Sequence, residues 1–153
     1  MTLESRHDGY GPMTPAEDPA WAGWFQWGRD PFEAFIGPLF CRYDEAGVPR
    51  TAFRAAAHHM NVGDFMHGGA LMTFADYTLF FVSRQALDDA PAVTATLNTD
   101  FVGAVPVGAM VEGTGEVIKA GRSMLFARGL LSVAGEPVLN FSGVIKRSGK
   151  WAG

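Results

Sequence analysis

The run from Gly68 to Gln85 constrains the fold of this chain more than any other stretch. Its apolar residues recur at helical spacing on two stripes. Leu71, Phe74, Ala75, Thr78 and Val82 form one, and Met72, Leu79 and Ser83 form the other. A helix that is apolar nearly all round has to be buried. It cannot lie on the outside of a sheet with one face in water. Either a sheet wraps it, or a second copy covers what the sheet leaves bare. Asp76 sits within the second stripe, and a carboxylate there is costly without a partner or a task. Gly68 and Gly69 open the helix after a polar loop that begins at Asn61. Free backbone N–H groups and the positive end of the helix dipole are presented at that tip.

The flanking sequence supplies the wrapping. Leu39 to Asp44 and Arg50 to Met60 are expected strands, joined by a turn at Glu45-Ala46-Gly47. Asp30, Pro31 and Glu33 read as an N-cap, a first-position proline and an acidic first turn. That helix is short, because Gly37-Pro38 stops it. Beyond Asp88 to Pro91 the period changes to two. Val93, Ala95, Leu97, Thr99 and Phe101 are assigned to one strand face, and Thr94, Thr96, Asn98 and Asp100 to the other. Residues 109–119, 122–133 and 137–146 are three further strands, linked by tight turns at Ala120-Gly121 and Ala134-Gly135. The order is two strands, one long buried helix, then four antiparallel strands. Residues 1–30 are expected to form an arm, loose over 1–20. Its aromatic stretch, Trp21 to Gly28, is a short turn of helix that packs over the domain or closes over a ligand or a partner subunit. The domain proper is 31–148, and 149–153 is a tail.

Composition removes several function classes. The chain has 153 residues, one domain's worth, and a net charge of −4 gives no overall basic field for nucleic acid. The single cysteine, Cys41, has no internal disulfide partner, which suits a reducing compartment. The polar N-terminus has no apolar signal core, and no apolar run is long enough to span a bilayer. A soluble, cytoplasmic protein with no nucleic-acid or membrane partner is expected. No metal site is expected either. His58 and His59 are adjacent in an expected strand, so they point to opposite faces. No HExxH or Cys/His ligand spacing is present.

The element order, with Asn61-x5-His67-Gly68-Gly69 opening a helix that carries Asp76, resembles the hotdog-fold acyl-CoA thioesterases. It is most similar to their phenylacetate-pathway branch, and the resemblance runs from about Pro31 to Lys146. It implies an α+β hotdog fold, a curved antiparallel six-stranded sheet wrapped around one long central helix. It also implies a homodimer or homotetramer, an acyl-CoA substrate and hydrolysis with no metal or other cofactor. Asn61 is similar to the family's polar side chain that helps place water or the thioester. Gly68 matches the glycine whose N–H holds the thioester oxygen, with His67 before it and Gly69 beside the substrate. Asp76 matches the acid that activates water or attacks directly. Thr94 falls where a hydroxyl assists that acid. Lys119, Arg122, Lys146 and Arg147 are placed to hold coenzyme A phosphates. The plainer alternatives are a structural acid at Asp76, a turn cap at Asn61, a strand residue at Thr94 and solvated charges at the basic positions.

The chemistry adds a geometric expectation. A thioester carbonyl needs donors for its developing oxyanion, and Gly68 has no Cβ to block approach. Asp76 is the only acid in the apolar part of the helix and lies eight residues beyond Gly68. That is about 12 Å along one helix, too far for both to act on one carbon. The acid and the donor therefore come from two antiparallel helices, and the site needs two copies. The expected activity is hydrolysis of an acyl-CoA with a medium-chain or aryl acyl group, since Phe65, Met66, Met72, Tyr77, Phe80 and Phe81 are large and apolar. The alternatives are a hotdog acyl thioester hydratase or dehydratase, which uses a His–acid pair, and a non-catalytic acyl-CoA-binding protein.

Overall fold

The computed structural model of the chain describes residues 10–28 and 30–149. The expected tail beyond Gly149, with Trp151, and the arm before Tyr10 fall outside the described residues. One long helix, α2 (Gly68–Leu87), lies on an antiparallel sheet. The strands are β1 (Met13–Pro15), β2 (Phe25–Trp27), β3 (Phe40–Tyr43), β4 (Pro49–Arg54), β5 (Ala92–Phe101), β6 (Met110–Ala120), β7 (Met124–Val133) and β8 (Glu136–Arg147). Their order across the sheet is β1-β2-β3-β4-β6-β7-β8-β5. A short helix, α1 (Pro31–Ile36), sits between β2 and β3, with Asp30 Oδ1 capping the N–H groups of Phe32 and Glu33. This is the expected α+β hotdog arrangement, with two strands more than the six expected.

The extra strands come from the arm. Met13 pairs with Trp27, and Phe25 pairs with Cys41, so β1 and β2 extend the sheet past β3. Part of the segment expected to be loose is therefore strand. The helical turn expected over Trp21–Gly28 is limited to a 3-10 turn at Pro19–Trp21. Strand alternation explains the difference. Trp27 and Phe25 point to the α2 side, in or against the main core. Trp21 and Trp24 belong to a second cluster with Phe40 and Ala52 on the opposite face. Trp21 stacks on Phe40 at 4.0 Å between ring centroids, and the Arg42 guanidinium lies 4.3 Å from the Trp24 ring centroid. The arm thus grips both faces of the sheet edge, and each aromatic side chain so buried contributes about 1.5–3 kcal/mol.

Two other expectations change. The second strand ends at Arg54, and His58 and His59 lie in a 3-10 turn at Ala57–His59. In β5 the register slips between Thr94 and Thr96. The bulge breaks the expected two-residue alternation, so Thr94 joins Leu97 and Thr99 among the strand's half-buried residues.

Two glycines seat the helix. A Cβ on Gly113 of β6 would collide with the hydroxyls of Thr51 and Thr78. A Cβ on Gly143 of β8 would lie 2.6 Å from Leu79 Cδ2. Their bare backbones let α2 approach the sheet closely. In that contact Thr78 donates to Phe74 O at 2.8 Å, so Thr51 is left to donate to Thr78 Oγ1, also at 2.8 Å. Gly143→Ala should therefore overpack the contact and lower stability by about 1–3 kcal/mol. Urea unfolding midpoints of the two proteins measure this, and an unchanged midpoint would show the helix to be seated loosely.

Candidate active site

Asp76 lies midway along α2, half-buried. Thr94 Oγ1 donates to its Oδ1 at 2.6 Å. The β5 bulge makes this contact possible. Burial pushes the Asp76 carboxyl above the usual carboxylate range, the Thr94 hydrogen bond pulls against that, and the charge of Asp30 adds to the push. A cavity of about 400 Å³ opens beside it. Tyr10, Trp27 and Phe80 form its aromatic wall, and Thr94, Asp30 and Glu33 are polar neighbours.

The helix tip is built differently. His67 Nδ1 accepts the Gly69 N–H at 2.9 Å, which fixes the Nδ1 nitrogen of His67 as the unprotonated one. Of the two glycines, Gly69 is therefore already engaged. The Gly68 N–H has no hydrogen-bond acceptor among the described residues. A Cβ at Gly68 would lie 3.3 Å from the Phe101 ring, so the glycine also makes room for the far end of β5. Asn61 Oδ1 accepts from Gly63 N at 2.8 Å and from Phe65 N at 3.4 Å, holding the loop that leads to the tip. Exposed Phe65, Phe101 and Val102 surround this end.

The structure brings Asp76 and Thr94 together and keeps Gly68 apart, at the start of the same helix. Lys119, Arg122 and Lys146 are exposed and gather at one end of the sheet. Lys146 pairs across from Val93, the neighbour of Thr94. Arg147 is committed elsewhere. Its guanidinium donates to Leu87 O at 2.8 Å and Ala86 O at 2.5 Å, capping the C-terminus of α2. His58 and His59 are not on opposite faces, as a strand would place them. Their ring centroids are 4.0 Å apart in the 3-10 turn. His59 uses both ring nitrogens, with Ala56 N–H donating to Nδ1 and Nε2 donating to Ile36 O. Among the described residues no cluster of three His, Cys, Asp or Glu side chains is placed to hold a metal. Cys41 is fully buried, and burial raises its thiol to about 11. No helix among the described residues is long and apolar enough to cross a membrane.

Sequence reasoning missed Glu33, Tyr10 and Trp27 as neighbours of Asp76. No sequence signal marked them, since an acid at Glu33 is already expected in the first turn of α1. Burial, with the charges of Asp30 and Asp76, raises Glu33 to about 7. A raised acid binds its proton in the folded protein where the unfolded chain has already lost it. Stability contributed by neutral Glu33 is therefore lost as pH rises from about 4.5 to about 7. Glu33→Gln should stabilise the protein at pH 8 by about 1–2 kcal/mol after allowance for solvent, and by almost nothing at pH 4.5. Thermal melts at the two pH values measure this, and equal gains at both would remove the assignment.

The chain is similar to known proteins in sequence and in fold. The profile of the Thioesterase superfamily matches residues 63–138. "Putative esterase PA0474" of Pseudomonas aeruginosa is 36% identical over 115 residues, 74% of this chain and 86% of that protein. The TT0310 protein of Thermus thermophilus is 28% identical with a TM-score of 0.68, and the match covers 78% of this chain and 99% of that one. A mutant of the phenylacetic acid degradation protein PaaI from the same organism is 26% identical with a TM-score of 0.68, over 78% of this chain and 100% of that one.

Proposed function

Because the chain belongs to the Thioesterase superfamily, we propose that it hydrolyses acyl-CoA thioesters at a site shared by two copies. The observation that carries this reading is Asp76. It is an acid on the buried helix, raised by burial, held at 2.6 Å by Thr94 and open to a cavity. A purely structural acid would be enclosed by its donors, and this one faces space.

In the proposed reaction Asp76 takes a proton from water, and the water oxygen bonds to the thioester carbonyl carbon. The carbonyl oxygen becomes an oxyanion and is held by the Gly68 N–H at the helix tip. Collapse of that intermediate breaks the carbon–sulfur bond, the proton on Asp76 passes to the leaving sulfur, and the carboxylic acid and coenzyme A thiol depart with Asp76 again a carboxylate. Lys119, Arg122 and Lys146 would meet the coenzyme A phosphates. Asn61 and His67 would act by holding the tip loop in shape. The hydratase reading needs a histidine paired with an acid. Here His67 Nδ1 is engaged by Gly69, which disfavours it.

Two copies are needed because Asp76 and Gly68 lie about 12 Å apart on one helix. Among the described residues the outer edge of β5 is unpaired in the sheet, and Val93 and Phe101 are exposed along it. An open apolar edge strand favours pairing with another chain. Antiparallel pairing of two β5 strands would set the two α2 helices antiparallel, bringing one copy's tip toward the other's Asp76.

Asp76→Asn should cut kcat by about 10²–10⁴-fold while leaving coenzyme A affinity nearly unchanged. Thr94→Val should move the acid limb of the rate profile to higher pH, because it removes the hydrogen bond that lowers Asp76. Hydrolysis at the wild-type rate by Asp76→Asn would end this reading. Sharing of the site has its own measurement. Gly68→Val and Asp76→Asn should each be inactive alone. After subunits are mixed and exchanged, about a quarter of the wild-type activity should return, since half the dimers hold one intact site each. No recovery after proven exchange would place both groups in one chain.

A further inference from the structure

A second cavity adjoins the one beside Asp76. It has a volume of about 320 Å³, opens to solvent, and is lined by exposed Ala34 and Pro38 and by buried Leu39 and Tyr77. Trp27, Gly28, Asp30 and Glu33 line both cavities and so stand between them. Trp27 is the bulk of this partition. The residue is 6% exposed, and its ring is held from several sides. Tyr10 packs at 5.2 Å between centroids, Phe81 at 5.6 Å and Tyr77 at 6.2 Å. The Arg84 guanidinium lies 5.8 Å from its ring centroid. A side chain enclosed in this way does not swing aside easily. Trp27 and Glu33 both precede residue 63, where the superfamily match begins, so the partition belongs to the part of the chain outside that match.

We infer that Trp27 is the end wall of the acyl site, so that the protein takes compact acyl groups and shuts the second cavity to longer ones. This deepens the thioesterase reading and rests on it. An acyl group whose carbonyl carbon is at Asp76 enters the first cavity and runs against the indole. The first cavity is of a size that holds a small ligand and is faced by Tyr10, Trp27 and Phe80, which suits a short chain or a single ring. A longer chain would have to displace the indole and pass the Glu33 carboxyl, which burial and neighbouring acids already oppose in its charged form.

The test is the ratio of kcat/KM for dodecanoyl-CoA to that for hexanoyl-CoA. It is measured for the wild type, Trp27→Leu, Ala34→Phe and the double variant. Trp27→Leu should raise the ratio tenfold or more by joining the chambers. Ala34→Phe alone should leave it unchanged, because Trp27 keeps the acyl chain out of that cavity. In the double variant the new phenyl ring fills the opened chamber, and the ratio should fall back toward the wild-type value. General loosening of the fold would not be reversed in this way. Trp27→Phe, a smaller change in the core, should move the ratio in the same direction by less. Thermal melts identify any variant that has lost its fold. A ratio unmoved in folded Trp27→Leu and Trp27→Phe, or one that Ala34→Phe does not reverse, overturns the inference. If the wild type binds acyl-CoA without cleaving it, the hydrolysis reading fails, and the same ratio taken from calorimetric affinities decides the wall. If neither hexanoyl-CoA nor dodecanoyl-CoA is bound or cleaved, both readings fall together.

Discussion

The seat of α2 in the sheet is the contact on which the rest of the molecule depends. A helix buried over nearly its whole surface needs neighbours on nearly every side, and the curved sheet supplies most of them. The approach is close because Gly113 and Gly143 present backbone where other residues would present side chains. Phe74, Leu79 and Phe81 are then fully buried. The same closeness fixes where Asp76 lies. A carboxylate on such a helix is tolerated only toward a gap in the apolar packing. That gap is the cavity bounded by β5 and the arm. The cost of holding the acid there is the physical origin of its raised proton affinity.

Much of this was legible in the sequence, and the helix was the clearest part. Its apolar stripes could be buried only by wrapping, and both its start at Gly68 and the acid within it were plain. The β5 bulge was not legible. Val93 to Phe101 reads as an unbroken two-residue alternation, and nothing in those side chains marks an extra residue. The bulge arises from pairing with β8, where Thr94 faces Ile145 and Thr96 faces the adjacent Val144. Family resemblance placed Thr94 beside the acid, whereas periodicity alone placed it on the face opposite Leu97. Tertiary pairing decided in favour of the first.

The arm was legible in the wrong form. Trp-Ala-Gly-Trp-Phe-Gln-Trp resembles a helical turn because three large rings fall at spacing three. In the structure the same spacing serves a chain that crosses the edge of the sheet. Trp21 and Trp24 meet each other edge-on against one face, and Trp27 turns to the other. Long-range contact with Phe40 and Tyr77 outweighs local preference, as happens where short segments have little helical stability of their own. Glu33 was hidden for a related reason. An acid in the first turn of a helix is expected on grounds of the dipole alone, so its second role beside Asp76 had no separate mark.

The two ends of α2 show how the chain distributes its unpaired backbone groups. At the C-terminus, Asp88 in the left-handed conformation returns its N–H to Arg84 O, and Arg147 reaches back to two further carbonyls. At the N-terminus, Ala70 and Leu71 return to His67 O, and the His67 ring takes the Gly69 N–H. The Gly68 N–H is the donor in that first turn left without an acceptor among the described residues. Here the carbonyls of Arg84, Ala86 and Leu87 are engaged at the carboxyl end, and a histidine at the amino end engages the neighbouring donor. That leaves one N–H without an acceptor among the described residues, near Phe101 of β5, the last strand of the described sheet, on a helix whose acid also faces space. An acceptor arriving from outside the chain would satisfy that donor, and a thioester oxygen held by a second copy is one such acceptor.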